Sequence, residues 1–197
     1  MGLSARKTKD RIMKSLTLVA ILVAVIPLFS VIWTVVSRGS ASLSWRTVTE
    51  LPLTGIRNAI VGTFIILALT LVIALPTGIL TGVYLAEYKG GFARILSFLA
   101  DVMSGIPSII AGIIGFVTIV ATTGSYGLGG SVALSILMLP VVIRSTEEAL
   151  KSVPDSLREA SAALGAPKWR TTSIVLSTAK GSIATGVLLS TARVMGE

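Results

Sequence analysis

The 197-residue sequence contains neither cysteine nor histidine. Without cysteine, disulfides, thiolate catalysis and Cys-ligated metals are excluded. Without histidine, the chain also lacks the usual general base and the commonest transition-metal ligand. We find no serine triad, no Gly-rich P-loop and no carboxylate cluster with metal-binding spacing. We therefore predict that the chain is not an enzyme and that it holds no cofactor and no metal itself.

Charged residues are also scarce. They make up 13% of the chain against 53% hydrophobic residues, and the mean hydropathy is +0.89. This balance is typical of membrane proteins rather than soluble domains. The net charge is +8, but the basic residues flank apolar runs instead of forming one stripe, which argues against nucleic acid as a partner. We predict an all-α polytopic transmembrane helical bundle whose first partner is the lipid bilayer.

Long runs without charge predict about five membrane spans. Leu16 to Val36 carries no charge over 21 positions, and roughly 20 apolar residues cross about 30 Å of hydrocarbon. The basic segment before this run resembles the start of a signal peptide. However, the run is longer than a secretory apolar region and has no convincing cleavage site, so we interpret it as an uncleaved span. The other spans are predicted at 59–86, 95–120, 131–143 and from about 182 to 197.

Three features modify these spans. Gly105 and Pro107 interrupt the third run, because proline cannot donate to the helical ladder. Unwound backbone at membrane depth must line a cavity or be buried in protein, although an ordinary kink between packed helices fits the pattern equally well. Asp101 is predicted to be an interfacial or interhelical hydrogen-bonding group. Gly78 and Gly82 form a small-xxx-small pair, which predicts close helix packing.

Positive charge predicts the orientation, since Lys and Arg are enriched in cytoplasmic loops. Thirteen Lys/Arg residues lie in three segments that would share one side: 1–15, 87–94 and 144–181. Only three lie in the two segments on the other side: 37–58 and 121–130. We therefore expect a cytoplasmic N-terminus at a cell membrane. The chain divides into a basic cytoplasmic segment, 1–15, and a transmembrane domain, 16–197, whose long cytoplasmic loop is 144–181.

That cytoplasmic loop contains the signals of a short helix. Ser152 is a candidate N-cap, Pro154 suits a first turn, and Asp155 suits the positive end of the helix dipole. Gly165 suits the left-handed position that ends a helix. A second helix start follows at once at 166–170.

The apolar positions of this helix are Leu157, Ala160 and Leu164, spaced i, i+3 and i+7, which predicts that they share one face. Such a face is also typical of a helix that lies on the membrane surface. The immediate glycine stop and restart favour instead a surface that a cytoplasmic partner holds.

The same stretch carries a family resemblance. Glu159-Ala160-Ser161, followed by Gly165 and Ile174-Val175-Leu176, resembles the EAA loop of ABC-transporter permeases. Three further stretches make the chain, from about residue 12 to its end, similar to phosphate-importer permeases of the PstA type: 105–112 (GIPSIIAG), 152–160 (SVPDSLREA) and 192–197 (ARVMGE).

The resemblance implies a permease of the type I ABC importer kind with six spans, of which about five are present, so that the chain would be C-terminally incomplete. It implies three kinds of partner: a homologous second permease subunit, two copies of an ATP-binding subunit that binds the ATP, and an extracytoplasmic phosphate-binding protein. It assigns ATPase docking to Leu157, Glu159, Ala160, Leu164 and Gly165. It assigns the substrate path to Arg193, Glu197, Gly105 and Pro107.

Arg193 and Glu197 are four positions apart, which on a continuous helix puts them on one face. An arginine within a span is costly and is expected to face a polar path or a partner, and its planar guanidinium suits phosphate. Alternatively, Arg193 snorkels to the outer interface. Two other functions stay open: a permease for sulfate or molybdate, and a non-transporting membrane scaffold or phosphate-signalling component.

Overall fold

A computed structural model describes residues 3–51 and 55–197, and these residues form helices and connecting turns without a strand. The helices are α1 (Leu3–Gly39), α2 (Trp45–Thr49), α3 (Arg57–Glu87), α4 (Gly91–Ser104), α5 (Ser108–Gly115), α6 (Ala121–Thr123), α7 (Tyr126–Lys151), α8 (Asp155–Ala163) and α9 (Lys168–Met195). A 3₁₀ turn, Ser40–Ser42, follows α1, and a π-helical turn, Phe116–Val120, joins α5 to α6. The chain packs as two units, Met1–Asn58 and Ala59–Glu197. The all-α prediction is confirmed for the described residues.

Four helices among the described residues are long and apolar enough to cross a membrane: Lys7–Gly39, Arg57–Glu87, Tyr126–Lys151 and Lys168–Met195. The predicted span at 95–120 is not one straight helix. It is a pair, Gly91–Ser104 and Ser108–Thr123, bent by 104° at the intervening break. Counting this pair as one broken span gives the predicted five.

The predicted loop 144–181 is mostly helical, so its boundaries were wrong. α7 continues to Lys151 and α9 already begins at Lys168. Charged residues end an apolar run without ending a helix, because their side chains can pair along it. Lys151 reaches back one turn to Glu147, with Nζ and Oε1 2.6 Å apart, which is the spacing at which helix side chains meet.

Close packing of α3 and α9 on α7 depends on small residues. A Cβ added at Gly78 would lie 2.7 Å from a methyl carbon of Val142, and one at Gly82 would lie 2.6 Å from Cβ of Thr146. The predicted packing role of these glycines is confirmed. On the other side of α7, Gly186 leaves the same kind of room for Ser145.

Helix α7 is the central helix of the second unit. The side chains of Met138, Val142 and Leu150 are all within 1% of complete burial. Polar groups also join α7 to α3, because Thr70 Oγ1 donates to the Ser131 carbonyl at 3.3 Å and Ser135 Oγ donates to the Thr70 carbonyl at 3.4 Å. A displacement of α7 therefore moves the core on which its neighbours pack.

Candidate coupling helix and translocation path

Helix α8 begins without a side-chain cap. Asp155 is its first residue, and Pro154, with φ −56° and ψ 138°, precedes it. Ser152 instead closes α7, where its hydroxyl donates to the Ala149 carbonyl at 2.7 Å. The prediction that Ser152 caps α8 was wrong, because the residue before a proline, here Val153, is pushed away from helical geometry and separates the two helices.

Gly165 ends α8 in the left-handed region, with φ +71°. Its N–H donates to the Ala162 carbonyl at 2.9 Å, and the Ala166 N–H donates to the Ser161 carbonyl at 3.2 Å. These two bonds form the Schellman motif, which confirms the predicted stop. A Cβ at Gly165 would meet no atom within 4 Å, so the backbone conformation alone favours glycine.

Three side chains hold α8 against the spanning helices. Arg158 pairs with the carboxylate of Glu87 at the end of α3, and its Nη2 donates to the Leu150 carbonyl of α7 at 3.0 Å. Ser161 and Thr171 share a hydroxyl hydrogen bond of 2.8 Å that joins α8 to α9. Leu157 packs on the cluster formed by the ends of α7 and α9. The helix is therefore fixed to three neighbours at once.

The three apolar positions predicted to share one face of α8 do not share one environment. Leu157 is half-buried, whereas Ala160 is exposed and Leu164 is 88% exposed. The buried polar position is Ser161, whose hydroxyl is satisfied by Thr171. The core cluster packs against Leu157 in the first turn of α8. Leu164 comes directly after the last residue of α8 and projects beyond that cluster.

The surface of α8 that faces away from the bundle contains four of the five residues predicted for docking. Glu159, Ala160, Leu164 and Gly165 are exposed. The fifth, Leu157, points into the bundle and contributes to holding the helix. An exposed leucine beside small side chains leaves room for another surface to approach closely.

A cluster of charged side chains joins α4 to α7. Arg144 Nη2 bonds the Asp101 carboxylate and the Ser97 hydroxyl, the latter at 2.9 Å, while Nη1 lies 2.6 Å from Glu147 Oε2. The interhelical role predicted for Asp101 is confirmed. Arg144, the partner of Asp101, and Glu147, which pairs with Arg144, were not predicted from the sequence, although Arg144–Glu147 at i, i+3 and Glu147–Lys151 at i, i+4 were an available signal.

The helical break predicted at Gly105 and Pro107 is confirmed. Pro107 has φ −61° and ψ 142° and precedes α5, and both residues are exposed. Beyond the break lies an open cleft of about 390 Å³, lined by Ser108, Glu197 and mostly apolar side chains of α3, α5 and α7. Glu197 and Ser108, the residue that follows Pro107, thus line the same cleft.

Arg193 and Glu197 do not pair on one helix face. Helix α9 ends at Met195, and the N–H groups of Gly196 and Glu197 bond the carbonyls three residues earlier, at 3.0 and 3.4 Å. These tighter bonds turn Glu197 off the α-helical spacing. Within the described part of the chain, Arg193 is exposed, forms no ion pair with Glu197 and does not line the cleft.

Several known proteins resemble this chain. The phosphate transport system permease protein PstA 1 of Mycobacterium tuberculosis (strain CDC 1551 / Oshkosh) is 40% identical over 205 residues, covering 98% of this chain and 67% of the relative. PstA of Yersinia pestis is 40% identical over 202 residues, covering 98% and 68%. A solved chain of the MetNI methionine ABC transporter in an inward-facing conformation has a TM-score of 0.60 at 24% identity, covering 72% of this chain and 68% of that one.

The similarity to the solved chain shows that this chain has the fold of an ABC importer permease, with several apolar helices. A family model for the inner membrane component of binding-protein-dependent transport systems matches residues 74–197, which include the break, the central helix α7, and helices α8 and α9. This match and the similarity to permeases over 98% of this chain show that the chain belongs to the family of binding-protein-dependent transport system inner membrane components.

Proposed function

We propose that this chain is the transmembrane permease subunit of an ATP-driven phosphate importer. One observation carries the choice of solute: relatives named as phosphate transport permeases are 36–40% identical to it over 98% of its length. A similarity that extends over nearly the whole chain includes the helices of the path as well as the coupling region.

The proposed orientation puts the N-terminus, α8 and the short connection between α3 and α4 on the cytoplasmic side. The asymmetry of Lys and Arg supports this arrangement. The partners of this chain would be a homologous second permease subunit, two copies of an ATP-binding subunit that hydrolyse ATP, and an extracytoplasmic phosphate-binding protein. This chain would contribute half of the path and no hydrolytic group.

In this assembly, the ATP-binding subunit binds this chain at α8. Its exposed surface, formed by Glu159, Ala160, Leu164 and Gly165, is available for docking. Leu157 acts differently from the other four, because it holds the helix in place from the inside. Anchoring one side and leaving the other free suits an element that passes on a displacement.

Transport would proceed by alternating access. Closure of the two ATP-binding subunits displaces α8, and its contacts with α3, α7 and α9 pass this displacement to the spanning helices. Rigid-body motion of packed helices is an established way to switch between two arrangements. The path would then open toward the binding protein and return inward after hydrolysis.

The proposed anion route runs past the break and the end of α9. Gly105 and Pro107 create the break, Glu197 lines the adjacent cleft, and Arg193 attracts the anion by its fixed positive charge. The Arg193 side chain and the cleft would come together in the complete path, to which the second permease subunit contributes. Glu197 would weaken the attraction so that phosphate is released.

ATP hydrolysis by the assembled complex in proteoliposomes tests this function. The binding protein is supplied loaded with phosphate, with sulfate, or empty. We expect stimulation by the phosphate-loaded protein alone. Stimulation by sulfate would retain the permease role and overturn the solute. If no ATP-binding subunit assembles with this chain, the importer function itself is contradicted and a membrane scaffold would take its place.

A further inference from the structure

The two acids of the charged cluster differ sharply in their exposure. The Glu147 side chain is 9% exposed and bonds two cations, Arg144 and Lys151, each with an N···O distance of 2.6 Å. The Asp101 side chain is 65% exposed and is bound by Arg144. An ion pair whose acid stays in contact with solvent contributes little stability and separates readily, whereas an acid buried between two cations is held firmly.

The exposed contact is also the one that connects two elements. Arg144, Glu147 and Lys151 all belong to α7, so the buried part of the cluster moves as one body with that helix. Asp101 belongs to α4 and lies three residues before the end of that helix at Ser104. The four charges sum to zero, so the cluster can persist near the membrane without an uncompensated ion.

Position makes this contact relevant to transport. Arg144 lies seven residues before the end of α7, and α8 begins only four residues after that end. Asp101 lies four residues before Gly105, where the chain bends by 104°. A displacement of α8 that moves α7 therefore reaches the break through the Arg144–Asp101 contact, which acts at the last turn of α4.

We infer that Arg144 and Asp101 form a releasable latch between α7 and α4 that couples movement of the coupling helix to the break at Gly105 and Pro107. Glu147 and Lys151 hold the Arg144 guanidinium in place when the latch opens, and Ser97 guides its return through the 2.9 Å hydrogen bond. Asp101 is thus a positioning residue that touches no substrate. This inference rests on the proposed importer function.

The test uses the complete complex in proteoliposomes and three variants of this chain. Asp101→Asn removes the charge of the latch, Asp101→Glu keeps the charge, and Glu148→Gln is the matched control. Glu148 is exposed on α7 and forms no ion pair with the described residues. Phosphate moved per ATP hydrolysed should fall about threefold or more in Asp101→Asn, with unchanged assembly and basal hydrolysis. Asp101→Glu and Glu148→Gln should keep the wild-type ratio.

Two results of the transport assay would overturn the latch. One is a wild-type transport ratio in Asp101→Asn. The other is a fall in hydrolysis and uptake that merely follows a loss of assembled complex, since that indicates a structural role. Hydrogen exchange of the α4 amides, 91–104, separates this inference from the function itself, because it does not require transport. Asp101→Asn should accelerate that exchange relative to Glu148→Gln, and equal rates would contradict the latch even in a complex that moves no phosphate.

Discussion

Arg158 of α8 pairs with Glu87, the last residue of α3, 71 positions earlier in the chain. The Glu87 side chain is only 7% exposed. Removing its cationic partner leaves a buried acid uncompensated, which is the costly way to break an ion pair. This pair therefore connects the stability of the bundle to the placement of the coupling helix.

Arg158→Gln should destabilise the chain by on the order of 2 kcal/mol, less than for a fully buried pair because Arg158 is itself 23% exposed. It should also lower ATPase activity stimulated by the binding protein, since α8 loses its contact with α3. Thermal unfolding in detergent and hydrolysis by the complex measure the two effects. Arg94→Gln, at an exposed cation of α4, is the control and should change neither. Unchanged unfolding in Arg158→Gln would show that the pair is not a stabilising contact.

Leu164→Asp tests the docking surface without disturbing the fold. Because Leu164 is 88% exposed, the substitution should alter the free energy of unfolding by no more than about 0.5 kcal/mol. The ATP-binding subunit should nevertheless co-purify about tenfold less, as expected when a contact at the centre of an interface is replaced by a charge.

Leu43→Asp, at a leucine that is 65% exposed and lies outside α8, provides the comparison and should retain the partner. We expect the same loss for Ala160→Asp, since that position is exposed on the same helix. Normal recovery of the partner with Leu164→Asp would remove this residue from the docking surface.

Gly82→Ala should destabilise the bundle, whereas Gly62→Ala should not, although both glycines lie in α3. A Cβ at Gly82 would stand 2.6 Å from Cβ of Thr146 and 2.7 Å from the Ile143 carbonyl oxygen, while one at Gly62 would meet nothing within 4 Å. Overpacking of this kind costs about 1–3 kcal/mol. Alanine in an open helical position gains up to about 1 kcal/mol. Thermal unfolding of the two variants should therefore shift in opposite directions, and equal shifts would contradict the tight α3–α7 contact.

Arg193→Gln should reduce phosphate uptake to background while leaving assembly and thermal stability unchanged, because the side chain is exposed and forms no ion pair with the described residues. Arg193→Lys keeps the charge but not the planar, bidentate geometry, and should transport at an intermediate rate. Radiolabelled phosphate uptake into proteoliposomes measures both. Normal uptake with Arg193→Gln would exclude this residue from the anion route.

The sequence predicted the helices, the break and the glycine stop because each depends on local chemistry. Charge-free runs require helices in a membrane, Pro107 cannot continue a helical ladder, and Gly165 suits a left-handed residue. The limits of α7 and α9 could not be read in this way. Arg144 ended one predicted apolar run and Lys180 preceded the next, but α7 and α9 include these residues.

The contacts that α8 makes with the other helices could not be predicted from the sequence. Periodicity placed Leu157 and Leu164 together, yet the core supports only the first of them. The partners Glu87 and Thr171 depend on how α3 and α9 are arranged around α8, and nothing in the local sequence specifies that arrangement. The relative position of Arg193 and Glu197 could not be predicted either, because the turn at Gly196 separates Glu197 from the helix face that carries Arg193.

The three attachments of α8 leave it no flexible connection that would let it move independently of α3, α7 and α9. A partner that pulls on it must carry the ends of α3, α7 and α9 together, or else break an ion pair, a hydroxyl hydrogen bond and an apolar contact in one step. Gradual loosening of α8 is therefore disfavoured, and a displacement of this helix should be transmitted to all three helices at once.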